Sequence, residues 1–494
     1  MKTLHYSIIP VVAISLFSSF PLVFAHGIDT MIGPPRLPNV LLTQILSSEN
    51  NVYLLWENGG KFFFQKSTDG GSTFDSPVMV MNITGARSVE PQMAASGNDV
   101  YVTWNYFDHN GTYLDFRQST DNGTSFGNIA TLYRGSSLDF LSLNLVVSGK
   151  HVYIAWQENS GYAHLIKSDN SGTTFLPVID LDNNTKRLGD PKIFASKNHV
   201  YLFMEGGCII SSGTQQICYP SPFVRRSDDY GNTWSSINPV INGTAAGFAT
   251  DARAAIFGDN VYLIWQFNGY GYGKILFAKS NDNAITFGKT VYLDNNGQEG
   301  HPNVLANGNN VYLFWQTDGN NTKDMMFSHS IDGGTTFSKP VNISNNKSPS
   351  DNYYLYKQVA SPGNNVYVTW EQRNQSNSEI FFRMSSDDGE TFGNTINLSE
   401  DLDSVVKNEI NSTWVNFDKP QVVTSGNNTY VGWINNYEGN NNIFFRTSND
   451  GGNTFENTII LREDHVMPEF PFAIPILLVG IISVIAFYRM KFRK

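Results

Sequence analysis

The sequence predicts an all-β protein, an eight-bladed β-propeller of four-stranded antiparallel blades followed by one C-terminal transmembrane helix. One eight-residue motif occurs eight times along the 494 residues. Short runs of alternating apolar and polar residues, bounded by Asn and Gly turns, lie between these motifs, a pattern typical of β-strands. A single uncharged stretch close to the C-terminus is long enough to span a bilayer.

The composition excludes one class of partner and disfavours a helical bundle. The chain has 33 Lys and Arg residues against 44 Asp and Glu residues, a formal net charge of −11. An acidic surface repels phosphate backbones, so we expect no nucleic-acid partner. Charged residues make up only 16% of the chain, whereas aromatic residues reach 13% and Asn and Gly are abundant. This balance favours strands and turns.

The repeated octet runs from a serine to an aromatic residue, as in Ser67–Phe74. Successive octets begin 49 to 63 residues apart, a regularity that indicates a repeat architecture. The octets begin at Ser67, Ser119, Ser168, Ser227, Ser280, Ser330, Ser385 and Ser448.

Each repeat contains sequence for four strands. In the first repeats, Val52–Trp56 and Lys61–Lys66 precede an octet, Pro77–Met81 follows it, and the small-residue strand Pro91–Ser96 begins the next unit. Four strands for each octet describe one propeller blade. We expect the small strands to lie at the axis and the tryptophans of the second strands to form the core between blades. Eight blades are predicted, or seven if the first unit is only a cap.

The octets resemble the Asp box, S-x-D-x-G-x-[ST]-[FW], of the bacterial-neuraminidase (BNR) repeat and of sialidase-like β-propellers. The resemblance covers residues 36–463 and implies that each box joins the third and fourth strands of a blade. Its third residue is expected to bind turn N–H groups; calcium binding is the alternative. Asn170 replaces the Asp of one box and Ala284 replaces the Gly of another. The third residues are Asp69, Asp121, Asn170, Asp229, Asp282, Asp332, Asp387 and Asp450.

The two ends of the chain predict an extracellular propeller. Residues 1–25 are typical of a signal peptide, with an uncleaved N-terminal anchor as the alternative. A short spacer (464–469) leads to a predicted transmembrane helix (470–488) and a basic tail (489–494). Because positive residues stay on the cytoplasmic side, we expect the propeller at the cell surface, on the outer side of the membrane.

Other features of the sequence agree with this location. Met467–Pro471 and the apolar run after it resemble C-terminal surface-sorting signals of archaeal secreted proteins, which implies that a sortase-like enzyme exchanges the helix for a lipid. Retention of the helix is the default expectation. Twelve N-x-Ser/Thr sequons predict a glycoprotein. Cys208 and Cys218 are the only cysteines, and we expect a disulfide between them, with free thiols or a metal site as alternatives.

The predicted ligand site lies where the inner strands of the blades meet the central channel. Several charged residues stand just before these strands, often beside a proline. They form a mixed ring that suits a polar ligand, although a solvated channel mouth without a ligand is the alternative. No metal-ligand cluster or phosphate loop is visible, so neither a metal nor a cofactor is predicted. The ring comprises Arg36, Glu90, Asp190, Asp251, Arg253, His301, Lys357 and Lys419.

Two functions fit these features, and a third class remains open. The first is a membrane-anchored propeller that binds an extracellular glycan or surface-layer polymer for adhesion or surface structure. The alternative is an exo-α-sialidase-like hydrolase, because Arg36–Pro38 is similar to the R-I-P sequence of that family. The resemblance implies an arginine cluster that holds the sugar carboxylate, with Arg253 as a second member and Arg87 or Arg187 as a third. An assembly or sorting receptor is the third class.

Overall fold

The computed structural model describes residues 40–48, 50–83, 87–108, 111–135, 140–158, 162–181, 189–205, 208–210, 216–219, 221–241, 247–269, 272–293, 298–319, 322–344, 353–361, 363–373, 378–400, 417–435 and 442–461. Arg36 and the predicted segments 1–25, 464–469, 470–488 and 489–494 lie outside these residues. Within the described part of the chain, no helix combines the length and the hydropathy that crossing a membrane requires.

The described strands form eight four-stranded sheets, which we call blades 1 to 8 in chain order, and one two-stranded hairpin. Blade 1 has β1 (Val40–Ser48), β2 (Asn51–Asn58), β3 (Lys61–Ser67) and β4 (Val78–Asn82); blade 2 has β5 (Arg87–Ser96), β6 (Asp99–Asp108), β7 (Gly111–Ser119) and β8 (Ala130–Gly135). Blade 3 has β9 (Phe140–Ser148), β10 (His151–Glu158), β11 (Ala163–Ser168) and β12 (Ile179–Asp180). Blade 4 has β13 (Gly189–Ser196), β14 (His199–Glu205), the hairpin β15 (Cys208–Ile210) and β16 (Gln216–Cys218), then β17 (Phe223–Ser227) and β18 (Asn238–Pro239).

The remaining blades repeat this pattern. Blade 5 has β19 (Gly247–Phe257), β20 (Asn260–Gly269), β21 (Tyr272–Ser280) and β22 (Val291–Tyr292); blade 6 has β23 (Gln298–Asn307), β24 (Asn310–Gly319), β25 (Thr322–Ser330) and β26 (Val341–Asn342). Blade 7 has β27 (Tyr353–Ala360), β28 (Val366–Arg373), β29 (Ser378–Ser385) and β30 (Ile396–Asn397); blade 8 has β31 (Phe417–Ser425), β32 (Asn428–Asn435), β33 (Ile443–Ser448) and β34 (Ile459–Leu461).

Every blade is an antiparallel meander made from one contiguous stretch of chain. Its strands pair in chain order from the first, innermost strand to the fourth. The first strands of most successive blades lie side by side, as β5 beside β9, and β31 of blade 8 lies beside β1 of blade 1. The predicted eight-bladed propeller of four-stranded antiparallel blades is therefore confirmed. The seven-bladed alternative is wrong, because blade 1 is complete.

Glutamine side chains link neighbouring blades close to the axis. Gln421 Oε1 accepts a hydrogen bond from Ile45 N at 2.9 Å, and Gln421 Nε2 donates to Thr43 O at 3.2 Å, which joins blade 8 to blade 1. Gln44 joins blade 1 to blade 2 in the same way, because it accepts from Met93 N at 2.6 Å and donates to Met93 O at 2.8 Å. In the part of the chain that the structure describes, the ring is closed by such contacts and not by a shared strand.

The core lies between the blades, where the second strands carry buried tryptophans. Trp433 of blade 8 packs with Tyr367 and Phe382 of blade 7, and the other blade interfaces repeat this arrangement. Met204 occupies the equivalent position in blade 4. The core position that the sequence predicts for these tryptophans is the one that the structure shows. The buried tryptophans of the second strands are Trp56, Trp104, Trp156, Trp265, Trp315, Trp370 and Trp433.

The octets form the turns between the third and fourth strands. In blade 1, Ser67 Oγ donates to Asp69 Oδ1 at 2.7 Å and accepts from Gly71 N at 2.8 Å. The Asp69 carboxylate accepts from Thr73 N at 2.9 Å and from Thr73 Oγ1 at 2.6 Å. Asn170 keeps the first of these two bonds in blade 3, because its Oδ1 accepts from the corresponding backbone N–H at 2.9 Å. Each carboxylate is thus used inside its own turn.

The glycine of each octet lies against an aromatic ring of the preceding blade. Gly389 has a left-handed backbone with φ +86°, and a methyl group there would lie 2.6 Å from Phe327 Cζ. Blade 5 differs, since Ala284 occupies this position with φ +61°. Its methyl group fits because blade 4 has the smaller Val224 where most blades have phenylalanine, and the two residues share one cluster. The departure in one blade is therefore matched by a departure in its neighbour.

Alanine at Gly389 should destabilise the propeller more than alanine at Gly426. Both glycines have a positive φ, but a methyl group at Gly426 would meet no atom within 4 Å. We expect Gly426→Ala to lose about 1–2 kcal/mol from left-handed strain and Gly389→Ala a further ~1–3 kcal/mol from overpacking. Urea unfolding of the two variants measures the difference. Equal losses would show that Phe327 does not limit this position.

Acid should weaken the octet turns. The side-chain and backbone hydrogen bonds from Ser125 lower the pKa of Asp121 to about 2, and those from Thr454 lower the pKa of Asp450 to about 2. Because these folded-state pKa values lie below the ordinary aspartate value of 3.8, the stability they contribute is present above pH 3.8 and is lost as the pH falls towards 2.

The melting temperature measured from pH 7 down to pH 2 checks this expectation. Asp450→Asn removes one titrating carboxyl while keeping the acceptor that Asn170 provides in blade 3, so its melting temperature should fall less steeply below pH 4. A wild-type melting temperature that stays constant down to pH 2 contradicts the expectation.

Candidate functional site

The first strand of every blade contains a register break against the second strand near its beginning. We call the end of the central channel where these strands begin the channel mouth. At the break, three adjacent blades have a non-glycine residue with a left-handed backbone: Asp190 (φ +48°), Asp251 (φ +52°) and His301 (φ +52°). Bulges and left-handed non-glycine residues are uncommon and concentrate at functional sites. Blades 4 to 6 are therefore the candidate site.

The ring residues that the structure describes lie inside the first strands. This corrects the predicted position, just before these strands, for all of them except Arg253, which the sequence already places on an inner strand. The bulge has a physical role, because a residue such as Pro191 or Pro302 cannot donate to the ladder and is tolerated where pairing is interrupted. The strands contain Glu90 (β5), Asp190 (β13), Asp251 and Arg253 (β19), His301 (β23), Lys357 (β27) and Lys419 (β31). The side chains of Glu90, Lys357 and Lys419 lie outside the described part of the molecule.

Six ionisable side chains meet at the mouth of blades 4 to 6. Lys192 Nζ lies 2.7 Å from Asp190 Oδ1, and Arg253 Nη2 lies 2.5 Å from Asp251 Oδ1. His301 Nδ1 lies 3.3 Å from Asp251 Oδ2, so one carboxylate joins blades 5 and 6. We call this set the mouth cluster; its members are Asp190, Lys192, Glu205, Asp251, Arg253 and His301.

Side chains of the preceding blade hold the left-handed residues in place. Asp251 N donates to Glu205 Oε1 at 2.6 Å, and Asp190 N donates to Gln157 Oε1 at 2.6 Å. Glu205 and Gln157 occupy equivalent positions at the mouth ends of their second strands. These bonds satisfy the backbone N–H groups that the bulge removes from the ladder, and they offset the cost of the strained conformation.

The environment moves the pKa values of two neighbouring carboxyl groups apart. Burial raises the pKa of Glu205 to about 7, and the negative charges of Asp190 and Asp251 act in the same direction against Lys192. Burial also disfavours the Asp251 anion, but Arg253 and His301 outweigh it and lower the pKa of Asp251 to about 2. Near neutral pH the cluster therefore holds one permanent carboxylate beside one that exchanges a proton.

The cations of the mouth cluster lie behind its carboxylates. The Lys192 and Arg253 side chains are 5% and 3% exposed, whereas those of Asp190 and Asp251 are 18% and 19% exposed. His301 is the most open of these side chains, at 67%. A ligand that approaches from the channel mouth therefore meets the imidazole and the carboxylates before it meets the ammonium and guanidinium groups.

An aromatic ring and a group of amides extend the site along blade 5. Phe248, three residues before Asp251 on β19, is 36% exposed. Opposite it on β20, Asn268 Nδ2 donates to Thr250 Oγ1 at 2.7 Å and Gln266 Nε2 donates to Asn268 Oδ1 at 2.8 Å. The mouth of blade 5 thus combines one aromatic face with several hydrogen-bonding groups.

Reasoning from the sequence missed Lys192, Glu205 and Phe248. A signal for Lys192 was present. In each second strand, the residue just before the tryptophan (or before Met204 in blade 4) pairs with a residue of the first strand, and that first-strand residue is polar in every blade. Only blades 4 and 5 place a cation there. We call these positions the polar ring; they are Gln44, Gln92, Asn144, Lys192, Arg253, Asn303, Gln358 and Gln421.

A second polar departure lies in blades 2 and 3. Opposite the tryptophan, the third strands carry apolar residues except for Asp115 in blade 2 and His164 in blade 3. His164 Nδ1 lies 2.9 Å from Asp180 Oδ1, and Tyr133 OH donates to Glu158 Oε1 at 2.7 Å. This cluster lies between blades 2 and 3, apart from the mouth cluster.

Neither a metal centre nor a complete arginine cluster is visible in what the structure describes. No group of three His, Cys, Asp or Glu side chains among the described residues is arranged to hold a metal ion. Among the arginines that the family resemblance singles out, Arg253 is the one whose side chain is described, and it binds Asp251 and Ala252 O. In the blade 4 hairpin, Cys208 lies directly opposite Cys218, so their disulfide stays a prediction that the backbone register allows.

Comparison with known proteins gives a fold-level likeness. No family model matches the chain, and no curated protein matches it. Among solved structures, it is similar to an ulvan lyase of polysaccharide lyase family PL25 (TM-score 0.45, 10% identity, 75% of this chain and 91% of that one). It is also similar to the NanB sialidase of Streptococcus pneumoniae (TM-score 0.37, 9% identity, 81% of this chain and 89% of that one). A third similar structure is the Hadza microbial sialidase Hz136 (TM-score 0.36, 13% identity, 65% of this chain and 71% of that one). At these identities the likeness concerns the fold alone.

Proposed function

We propose that this protein is a membrane-anchored cell-surface propeller that binds an extracellular glycan or surface-layer polymer at the mouth of blades 4 to 6. One observation carries the proposal: three adjacent blades bring six ionisable side chains together, and three of these residues, Asp190, Asp251 and His301, have a left-handed backbone at a bulge. Buried charges and strained backbone both cost free energy, and such costs are typical of binding or catalytic sites.

The chemistry of the site matches a sugar better than an apolar ligand. A saccharide presents many hydroxyl groups, which bind carboxylates, imidazole and amides such as Asp251, His301 and Asn268. It also presents an apolar face of C–H groups, which suits an exposed ring such as Phe248. Ligand sites commonly combine an aromatic surface with a few placed polar groups.

The cellular part of the proposal rests on the sequence. A signal peptide at 1–25 and a transmembrane helix at 470–488 would hold the propeller outside the cell, where glycans and surface polymers are available. Adhesion or a role in a surface layer then requires affinity without turnover.

Replacing mouth side chains should weaken glycan binding by the full-length protein. We expect His301→Ala and Phe248→Ala each to reduce affinity by about tenfold, that is about 1.4 kcal/mol, because each removes a ligand-facing group. A glycan array identifies a bound oligosaccharide, and isothermal titration calorimetry with that oligosaccharide measures the change.

Two matched variants control for general damage. His199→Ala removes a histidine with a carboxylate partner at the opposite end of the blade 4 second strand, and Tyr292→Ala removes an exposed aromatic residue from the outermost strand of blade 5. Both should retain full affinity. Loss of binding in the controls, or silence across the whole array, refutes a glycan site at the channel mouth.

Glycosidic-bond hydrolysis is a second candidate, favoured by the separated pKa values of Glu205 and Asp251. A carboxylic acid that keeps its proton near neutral pH beside a permanent carboxylate is the pair that glycosidases use. Glu205 would then donate a proton to the leaving group. The sialidase version of this reaction additionally needs Arg36 and further arginines around the sugar carboxylate.

Hydrolysis should follow the protonation of Glu205. Full-length protein incubated with fluorogenic neutral glycosides and a fluorogenic sialoside should release fluorophore at a rate that falls as the pH rises through about 7. Glu205→Gln keeps an acceptor for Asp251 N but cannot donate a proton, so release should stop. Arg36→Ala should abolish release from the sialoside alone. No release from any substrate removes the enzyme candidate and leaves binding.

A further inference from the structure

We propose that the mouth cluster selects uncharged sugars and amino sugars and rejects carboxylated or sulfated ones. This inference rests on the proposed glycan binding at the same site and names the class of glycan. It follows from the order in which the charges of the cluster meet a ligand.

The permanent cations of the cluster are already engaged by protein groups. Arg253 is 3% exposed, with Nη2 2.5 Å from Asp251 Oδ1 and Nη1 2.9 Å from Ala252 O. Lys192 is 5% exposed and lies 2.7 Å from Asp190 Oδ1. An anionic sugar would have to displace these internal carboxylates to reach either cation, and that exchange leaves a buried carboxylate without its partner.

The groups nearer to solvent include carboxylates, which favour neutral or positively charged ligands over negatively charged ones. The Asp190 and Asp251 carboxylates are several times more exposed than their cations, and a carboxylate accepts hydrogen bonds from hydroxyl or ammonium donors. Asp190 and Asp251 lie between the two permanent cations of this cluster and the solvent, and the chain as a whole has a net charge of −11. A ligand carboxylate or sulfate therefore meets like charge both at long range and on contact.

Three oligosaccharides of equal length test this selectivity on the full-length protein: glucose, glucosamine and glucuronate oligomers. Calorimetric titration at low salt and at 150 mM salt gives each affinity. We expect the glucose and glucosamine oligomers to bind at least about tenfold more tightly than the glucuronate oligomer. The difference should shrink at the higher salt concentration, because salt screens the repulsion.

A substitution at the exposed His301 adds a permanent positive charge where the ligand enters without changing a buried side chain. His301→Lys should strengthen glucuronate binding by about threefold or more and weaken glucosamine binding, since an opposite charge attracts and a like charge repels. His301→Gln is the neutral control: we expect it to weaken binding of all three oligosaccharides to a similar extent, so that their order of affinity stays the same. Circular dichroism of each variant verifies the fold.

The outcomes separate this inference from the proposed function. Tighter binding of the glucuronate oligomer than of the glucose oligomer overturns the selectivity and leaves glycan binding standing. Binding of none of the three, together with silence across the glycan array, overturns both. Equal affinities that His301→Lys does not alter show that the cluster does not contact the sugar.

Discussion

The ring depends on the burial of one large side chain between neighbouring sheets. Each second strand places a tryptophan, or Met204 in blade 4, against the preceding blade. Sheet faces that pack at one spacing around a circle require side chains of nearly constant volume, because interiors are close-packed and tolerate neither voids nor excess atoms. The pairing of Val224 with Ala284 shows the same constraint in one place, where a smaller residue in one blade admits a larger one from the next.

The fold could be predicted from the sequence because repetition multiplies a weak local signal. One octet such as Ser67–Phe74 predicts only a turn, but eight octets at similar spacing predict the strands, the blade count and the buried tryptophans. The register breaks could not be predicted, because a bulge is defined by the partner strand. Asp190 and Asp251 therefore looked like loop residues when they lie within strands.

The candidate site was harder to predict than the fold because its contacts cross from blade to blade. Arg253 and His301 stood out by their charge beside a proline or an aspartate, yet Glu205 gave no local signal at the end of an ordinary second strand. Its function comes from accepting a hydrogen bond from Asp251 of the next blade. Where the repeat departs from its own pattern, as in blades 4 to 6 and again at Asp115 and His164, the departure is the useful observation.

Contiguous blades also determine how the molecule bears load. Among the described strands, none is shared at the seam between blades 8 and 1, so tension between the first and the last of these strands falls on non-covalent contacts such as the Gln421–Ile45 and Ser47–Thr424 hydrogen bonds. We expect a ring pulled in this way to open at this seam first and then to lose whole sheets one at a time. Each lost unit of 49 to 63 residues lengthens the tether by about 160–230 Å when fully extended. The closed ring is therefore the compact state of a chain that lengthens in steps of one blade when its ends are pulled apart.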